Sequence, residues 1–229
     1  MYIVVGLGNP GQEYENTRHN AGRMAVEAFA KMFSLGEFET NKKLGSLSVK
    51  GEIVGKDLLA SKVAAKIQGI ENIKGLSKKT EEVMAVLPET FMNKSGKALE
   101  TLIPTQDGKA GKATLKKAEQ LIVVQDDLDM PVGKIKILFN RGSGGHKGIE
   151  SIVRTIKTEA FARIKVGICP TTPTGKPKKP TGDKLLDFIV GPFKPAELDE
   201  MKKTSRAVAE AIATIVLIDR QKAMEVFNR

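Results

Sequence analysis

Three short apolar runs, far apart in the chain, each stop at a cluster of polar residues, and this pattern limits the fold more than any other feature. Tyr2 to Val5 gives way to Gly6-Leu7-Gly8-Asn9-Pro10-Gly11, Val83 to Leu87 gives way to Pro88-Glu89-Thr90-Phe91-Met92-Asn93, and Leu121 to Val124 gives way to Gln125-Asp126-Asp127-Leu128-Asp129. Apolar runs of this length read as buried strands. In open α/β sheets ligands bind outside the carboxyl ends of the strands, so the three polar loops are expected to converge on one site. Lys134 to Phe139 and Ala162 to Ile168 add two further strand-like runs.

Helices are expected between them. From Asn20, read as an N-cap, polar Arg23, Glu27 and Lys31 recur every four residues among Met24, Ala25, Ala28, Phe29 and Met32, so one narrow face meets water. Arg141-Gly142-Ser143-Gly144-Gly145-His146-Lys147-Gly148 opens a helix around Ile149 to Ile156, and Gly-rich loops at helix starts present N–H groups to anions. Pro195 begins a long amphipathic helix with Leu198, Met201, Val208, Ile212 and Ile215 on one face. Between Gly36 and Thr80 short apolar runs alternate with Gly and Lys, which suggests hairpins or irregular insertions. Residues 170–184 hold Pro170, Pro173, Pro177 and Pro180 with Lys176, Lys178, Lys179 and Lys184, and read as a mobile basic loop.

At 229 residues the chain can bury one substantial core, and a single domain over 1–229 is the starting expectation. The 37 Lys and Arg against 27 Asp and Glu leave a formal charge of +10, which favours a polyanionic partner. Nine Phe, two Tyr and no Trp argue against a single-strand reader built on rows of stacking rings. The lone Cys169 cannot form an intramolecular disulfide, and no run is long enough to span a bilayer, so a cytoplasmic, untargeted protein is expected.

The chemistry-bearing residues gather in the loops. His19 lies in Thr17-Arg18-His19-Asn20 at the mouth of the first helix, and Asp126 closes a buried strand. A histidine acting as general base needs a carboxylate to hold its tautomer and stabilise the imidazolium. Asn9 and Asn93 are neutral amides able to orient a carbonyl or a water. The aspartates at 126, 127 and 129 could instead form a divalent-metal cluster or a solvated turn, but no other acid falls at a recognisable ligand spacing, and no metal is expected. Gly6-Leu7-Gly8-Asn9-Pro10-Gly11 fits a dinucleotide fingerprint in letters alone. Pro10-Gly11 breaks the chain, and helical periodicity begins only after Thr17, where no pyrophosphate could meet the helix end. No G-x-S-x-G elbow is present, so water is the expected nucleophile.

Together these motifs resemble the bacterial-type peptidyl-tRNA hydrolase family. The resemblance rests on Val5-Gly6-Leu7-Gly8-Asn9-Pro10-Gly11 with Tyr14, on Thr17-Arg18-His19-Asn20-Ala21-Gly22, on Phe91-Met92-Asn93-Lys94-Ser95-Gly96-Lys97 and on Asp126-Asp127-Leu128-Asp129 followed by Gly133-Lys134. Gly144-Gly145-His146-Lys147-Gly148, Arg163 to Ile168 and Phe188 to Pro192 are weaker echoes. It implies a monomeric α/β domain, a twisted mixed β-sheet flanked by helices. The implied activity is hydrolysis of the ester joining a peptide to the 3′ ribose of tRNA, without metal or cofactor.

Carried to matching positions, the resemblance makes His19 the base and Asp126 its orienting partner. Asn9, Tyr14, Phe91, Asn93, His146 and Lys147 become substrate-binding residues, and Lys136 and Lys165 a clamp on a tRNA phosphate. Residues 170–184 would gate the site, and the C-terminal helix would help hold the acceptor stem. Lys165 stands where the family has an arginine, and Lys147 where it has an asparagine. Lys147 donates but cannot accept a hydrogen bond, and its ammonium is expected to face solvent and attract RNA rather than reach the carbonyl. The chain also looks longer than typical relatives, with apparent insertions near 37–80 and 104–117. The competing reading is a catalytically inactive RNA-binding protein on the same fold.

Overall fold

Strand β1 (Tyr2–Gly6) lies inside a seven-stranded sheet, as a run apolar on both faces requires: Val4 points into one hydrophobic cluster, Ile3 and Val5 into the other. The computed structural model describes residues 1–172, 178–182 and 184–228. After β1 come α1 (Ala21–Met32), β2 (Glu39–Asn41), β3 (Ser46–Val54), α2 (Gly55–Leu59) and β4 (Thr80–Pro88). A 3-10 helix, Met92–Leu99, leads to α3 (Lys112–Ala118), β5 (Leu121–Pro131), β6 (Ile135–Phe139), α4 (Lys147–Ile156) and β7 (Ala162–Cys169). The chain ends with α5 (Lys184–Val190), α6 (Pro195–Leu217) and α7 (Arg220–Phe227).

The strand order is β2-β3-β4-β1-β5-β7-β6. Strands β4, β1, β5 and β7 run parallel, while β3 and β2 at one edge and β6 at the other are antiparallel to their neighbours, so the sheet is mixed, as expected. Side-chain alternation divides the core. Val4, Ile122 and Val124 meet α1 and α6, whereas Val5, Leu121 and Val123 meet the 3-10 helix and α4. Helix α1 sits directly on the sheet at Gly22, where a Cβ would collide with the carbonyl oxygen of Val124. On α6 the expected face buries Met201, Val208, Ile212 and Ile215, with Leu198 half-buried, while Ala211 to Leu217 are buried on every side. No described helix is long and apolar enough to cross a membrane.

The stretch 37–80 contains the β2–β3 hairpin, and β3 pairs with β4 from Ser46↔Pro88 to Val54↔Thr80. Short turns then bury Val63, Ile67, Ile70 and Leu76 against the face that carries α1 and α6. The stretch 104–117 holds a tight turn, with Gln106 and Lys109 exchanging backbone hydrogen bonds, and the start of α3. Of the basic loop 170–184, residues 173–177 and 183 lie outside the described residues.

Two local expectations need correction. The third polar cluster is not a loop: β5 continues through Asp126 and Asp127, because β7 supplies partners at Val166 and Gly167, and the register shifts only beyond Asp127. Asn20 does not cap α1 with its side chain. It braces the first polar loop instead: its Oδ1 accepts the Asn9 N–H at 2.8 Å, and its Nδ2 donates to the Asn9 carbonyl at 2.9 Å.

Candidate active site

His19 stands on a 3-10 turn, Arg18–Asn20, fixed from beneath by Arg18. The buried Arg18 guanidinium donates to the carbonyl of Pro192 at 2.7 Å, pairs with Glu197 at 2.7 Å and lies 4.2 Å from the ring centre of Phe188. A backbone bond from Arg18 N–H to the Gly191 carbonyl, at 3.1 Å, adds to the hold. An ion pair this well buried and hydrogen-bonded fixes geometry more than it adds stability. Sequence reading missed Arg18 as an anchor; the available signal was a cation directly preceding the candidate base.

Held there, His19 Nδ1 lies 3.0 Å from Oδ1 of Asp126. The same oxygen lies 2.9 Å from Nε2 of His146. His146 precedes α4, and its Nδ1 accepts the N–H groups of Gly148 and Ile149 at 3.2 and 3.4 Å. A nitrogen that accepts carries no proton, so the network assigns the proton to Nε2 and makes His146 a hydrogen-bond donor to Asp126. Sequence reading placed His146 among the substrate-binding residues, but both its ring nitrogens are engaged by protein. The clue was that the chain has only two histidines, each just before a helix.

Burial opposes charge on His19, but the negative charge and hydrogen bond of Asp126 outweigh it and raise the pKa above 6.5. Burial likewise opposes charge on Asp126, yet the two imidazoles more than offset it and hold the carboxyl well below its ordinary range. Asp126 is therefore an anion that accepts two N–H groups. The three ligand atoms of His19, Asp126 and His146 lie within 4.8 Å of one another, a spacing a transition metal could use only if His146 moved its proton from Nε2 to Nδ1 and gave up the helix cap.

The remaining groups ring this centre. The buried Asn9 uses Oδ1 to accept the Met92 N–H at 2.9 Å, which fixes the orientation of its amide and leaves Nδ2–H as the donor it can offer. The same bond ties the loop after β4 to the loop after β1. That loop carries exposed Asn93 and the ring of Phe91, 57% exposed, against which Tyr14 stands edge-on at 6.4 Å. Lys136 and Lys165 face each other across β6 and β7. Lys165 is not a free cation: its ammonium pairs with the buried carboxylate of Asp127, whose other oxygen accepts the Asp129 N–H at 2.7 Å.

The chain matches the family model described as peptidyl-tRNA hydrolase over residues 3–229. The chain belongs to the peptidyl-tRNA hydrolase family. Curated relatives include the peptidyl-tRNA hydrolase of Carboxydothermus hydrogenoformans, 37% identical over 229 residues, covering 100% of this chain and 99% of the relative. That of Aquifex aeolicus is 33% identical over 227 residues, with 99% and 96% covered. Among solved structures, the peptidyl-tRNA hydrolase of Acinetobacter baumannii is 26% identical with a TM-score of 0.72, covering 100% of this chain and 94% of that one. Lys147 opens α4 directly after His146. Its side chain is 70% exposed, and its ammonium lies 3.2 Å from Glu150 rather than near Asp126. Lys147→Ala is expected to leave kcat within about threefold of the parent, since removing a true oxyanion donor costs about a hundredfold. Steady-state kinetics on peptidyl-tRNA, together with the Lys147→Asn variant, decide between the two.

Proposed function

We infer that this protein hydrolyses the ester between a peptide and the 3′ ribose of tRNA, with water as nucleophile and His19 as base. The observation that carries this reading is the 3.0 Å contact of His19 Nδ1 with the buried anion of Asp126. That contact keeps the Nδ1 proton in place and leaves the Nε2 lone pair free to act. Nε2 takes a proton from water as the water oxygen attacks the ester carbonyl. Asn9 Nδ2–H stabilises the charge developing on the carbonyl oxygen, and the imidazolium returns the proton to the departing 3′ oxygen. His146 holds Asp126, while Asn93, Tyr14 and Phe91 place the acyl group and the end of the RNA. The reaction requires no metal or cofactor.

Lys136 and Lys165 form the phosphate clamp in this reading, with Asp127 holding Lys165 extended beside its neighbour. Replacing either with Ala is expected to reduce the slope of log K against log salt by about 0.7 to 0.9, read by tRNA binding over a salt series. We propose that it acts as a monomer, since base, carboxylate and amide already meet within a single chain and the site needs no second copy. A cytoplasmic setting accords with a substrate made by translation. The inactive reading draws no support from a site in which base, partner and amide are all in place.

The deciding experiment is release of labelled peptide from a peptidyl-tRNA, with the corresponding aminoacyl-tRNA as control. Release from the first and little from the second is expected. No release from peptidyl-tRNA would overturn the reading.

A further inference from the structure

A 3-10 helix repeats every three residues, so within Met92–Leu99 and its next residue Lys94, Lys97 and Glu100 fall in line along one side. Opposite them α4 presents Ser151, Arg154 and Thr155, and between the two elements lies a groove of about 440 Å³ that begins at Asn93. Its floor is fixed. A Cβ on Gly96 would strike the Ser151 carbonyl oxygen, and the Gly96 N–H donates to Ser151 Oγ at 3.0 Å. Lys94, Lys97 and Arg154 are exposed, and none forms an ion pair among the described residues.

Sheet order indicates what this groove faces. Asn93 follows β4, Asp126 lies on the central β5 with His19 bonded to it from the turn after β1, and Lys165 and Lys136 occupy β7 and β6 on the far side. An ester has two substituents on opposite sides of the reacting carbon. With the RNA engaged over β7 and β6, the acyl chain is directed toward β4 and the groove beyond Asn93. We propose that this groove receives the peptide portion of the substrate and favours acidic side chains in it. The inference rests on the hydrolase reading of His19 and Asp126, and three cations against the single carboxylate of Glu100 supply the charge preference.

The test uses one tRNA acylated with N-acetylated peptides of equal length that carry Glu, Ser or Lys at the two residues before the esterified one. kcat/KM for the Glu peptide should exceed that for the Lys peptide on the order of tenfold at low salt, as two exposed pairs allow, and the gap should narrow as salt rises. The triple variant Lys94→Glu, Lys97→Glu, Arg154→Glu should reverse the order, and Arg154→Glu alone should shrink it. Turnover of N-acetyl-aminoacyl-tRNA, whose acyl group stops short of the groove, should be unchanged in both variants. Equal rates for the Glu and Lys peptides would overturn the inference and leave the hydrolase reading standing. A loss in the triple variant that extends to N-acetyl-aminoacyl-tRNA would assign the groove to RNA and overturn it as well. A parent that releases none of the peptides would overturn both readings.

Discussion

His19→Asn is expected to lower kcat by about 10² to 10⁴, the range that general acid–base catalysis contributes, while tRNA affinity stays close to that of the parent. The two effects separate because the proton acceptor lies on the 3-10 turn before α1 and the cations lie on two strands at the sheet edge. His19 Nε2 handles the water proton, whereas Lys136 and Lys165 sit on β6 and β7. Asparagine also retains a donor toward Asp126, so the buried carboxylate is not left without its partner on that side. Single-turnover hydrolysis and equilibrium binding of tRNA measure the two quantities independently. Parent-like turnover in the variant would remove His19 from the mechanism.

Asp126→Asn should be nearly as costly, about 10³ to 10⁴ in kcat, because an amide between two histidines no longer enforces the tautomer of either. The pH dependence gives the sharper test. In the parent the rate rises as His19 loses its proton, at a pH above 6.5 because Asp126 raises that pKa. In the variant the charge is gone and burial remains, so the rising limb should move to lower pH. An unmoved limb would assign the partner role to another carboxylate.

The same charges affect stability with definite signs. The Asp126 pKa is lower in the folded protein, so its contribution is present above the unfolded value of about 4 and is lost as acid protonates it. The His19 pKa is raised, so its contribution is present below about 6.5 and is lost as pH climbs through the folded value. Urea denaturation of parent and Asp126→Asn between these limits should show the difference, and it should diminish at either end.

Local sequence carried the parts of this molecule that depend on neighbours in the chain. Ile3 to Val5 and Leu121 to Val124 read as strands because each is apolar on both faces, and α6 read as a helix because Pro195 opens it and its apolar residues recur along one face. His19 and Asp126 were legible as a pair because a base beside a helix start and a carboxylate following an apolar run form a chemical unit. Features set by distant partners were not. That β5 runs on past Val124 depends on β7 lying alongside it. That Lys165 pairs with Asp127 depends on the neighbouring strand, and that both ring nitrogens of His146 are engaged depends on two N–H groups behind it and a carboxylate ahead. Asn20 does occupy the N-cap position of α1, but its side chain makes no capping bond because it is claimed by Asn9, eleven residues away.

The Arg18 anchor has a consequence for the order in which the molecule can be made. Its contacts with Phe188, Pro192 and Glu197 span 170 to 179 residues of sequence. During synthesis the N-terminal segments are available to fold first. The turn bearing His19 then has no seat until the residues around 188–197 have been added. A growing chain is itself a peptide esterified to tRNA, the bond this site is built to cut. Because the base is secured by the last quarter of the chain, a nascent copy spends most of its synthesis without a finished site.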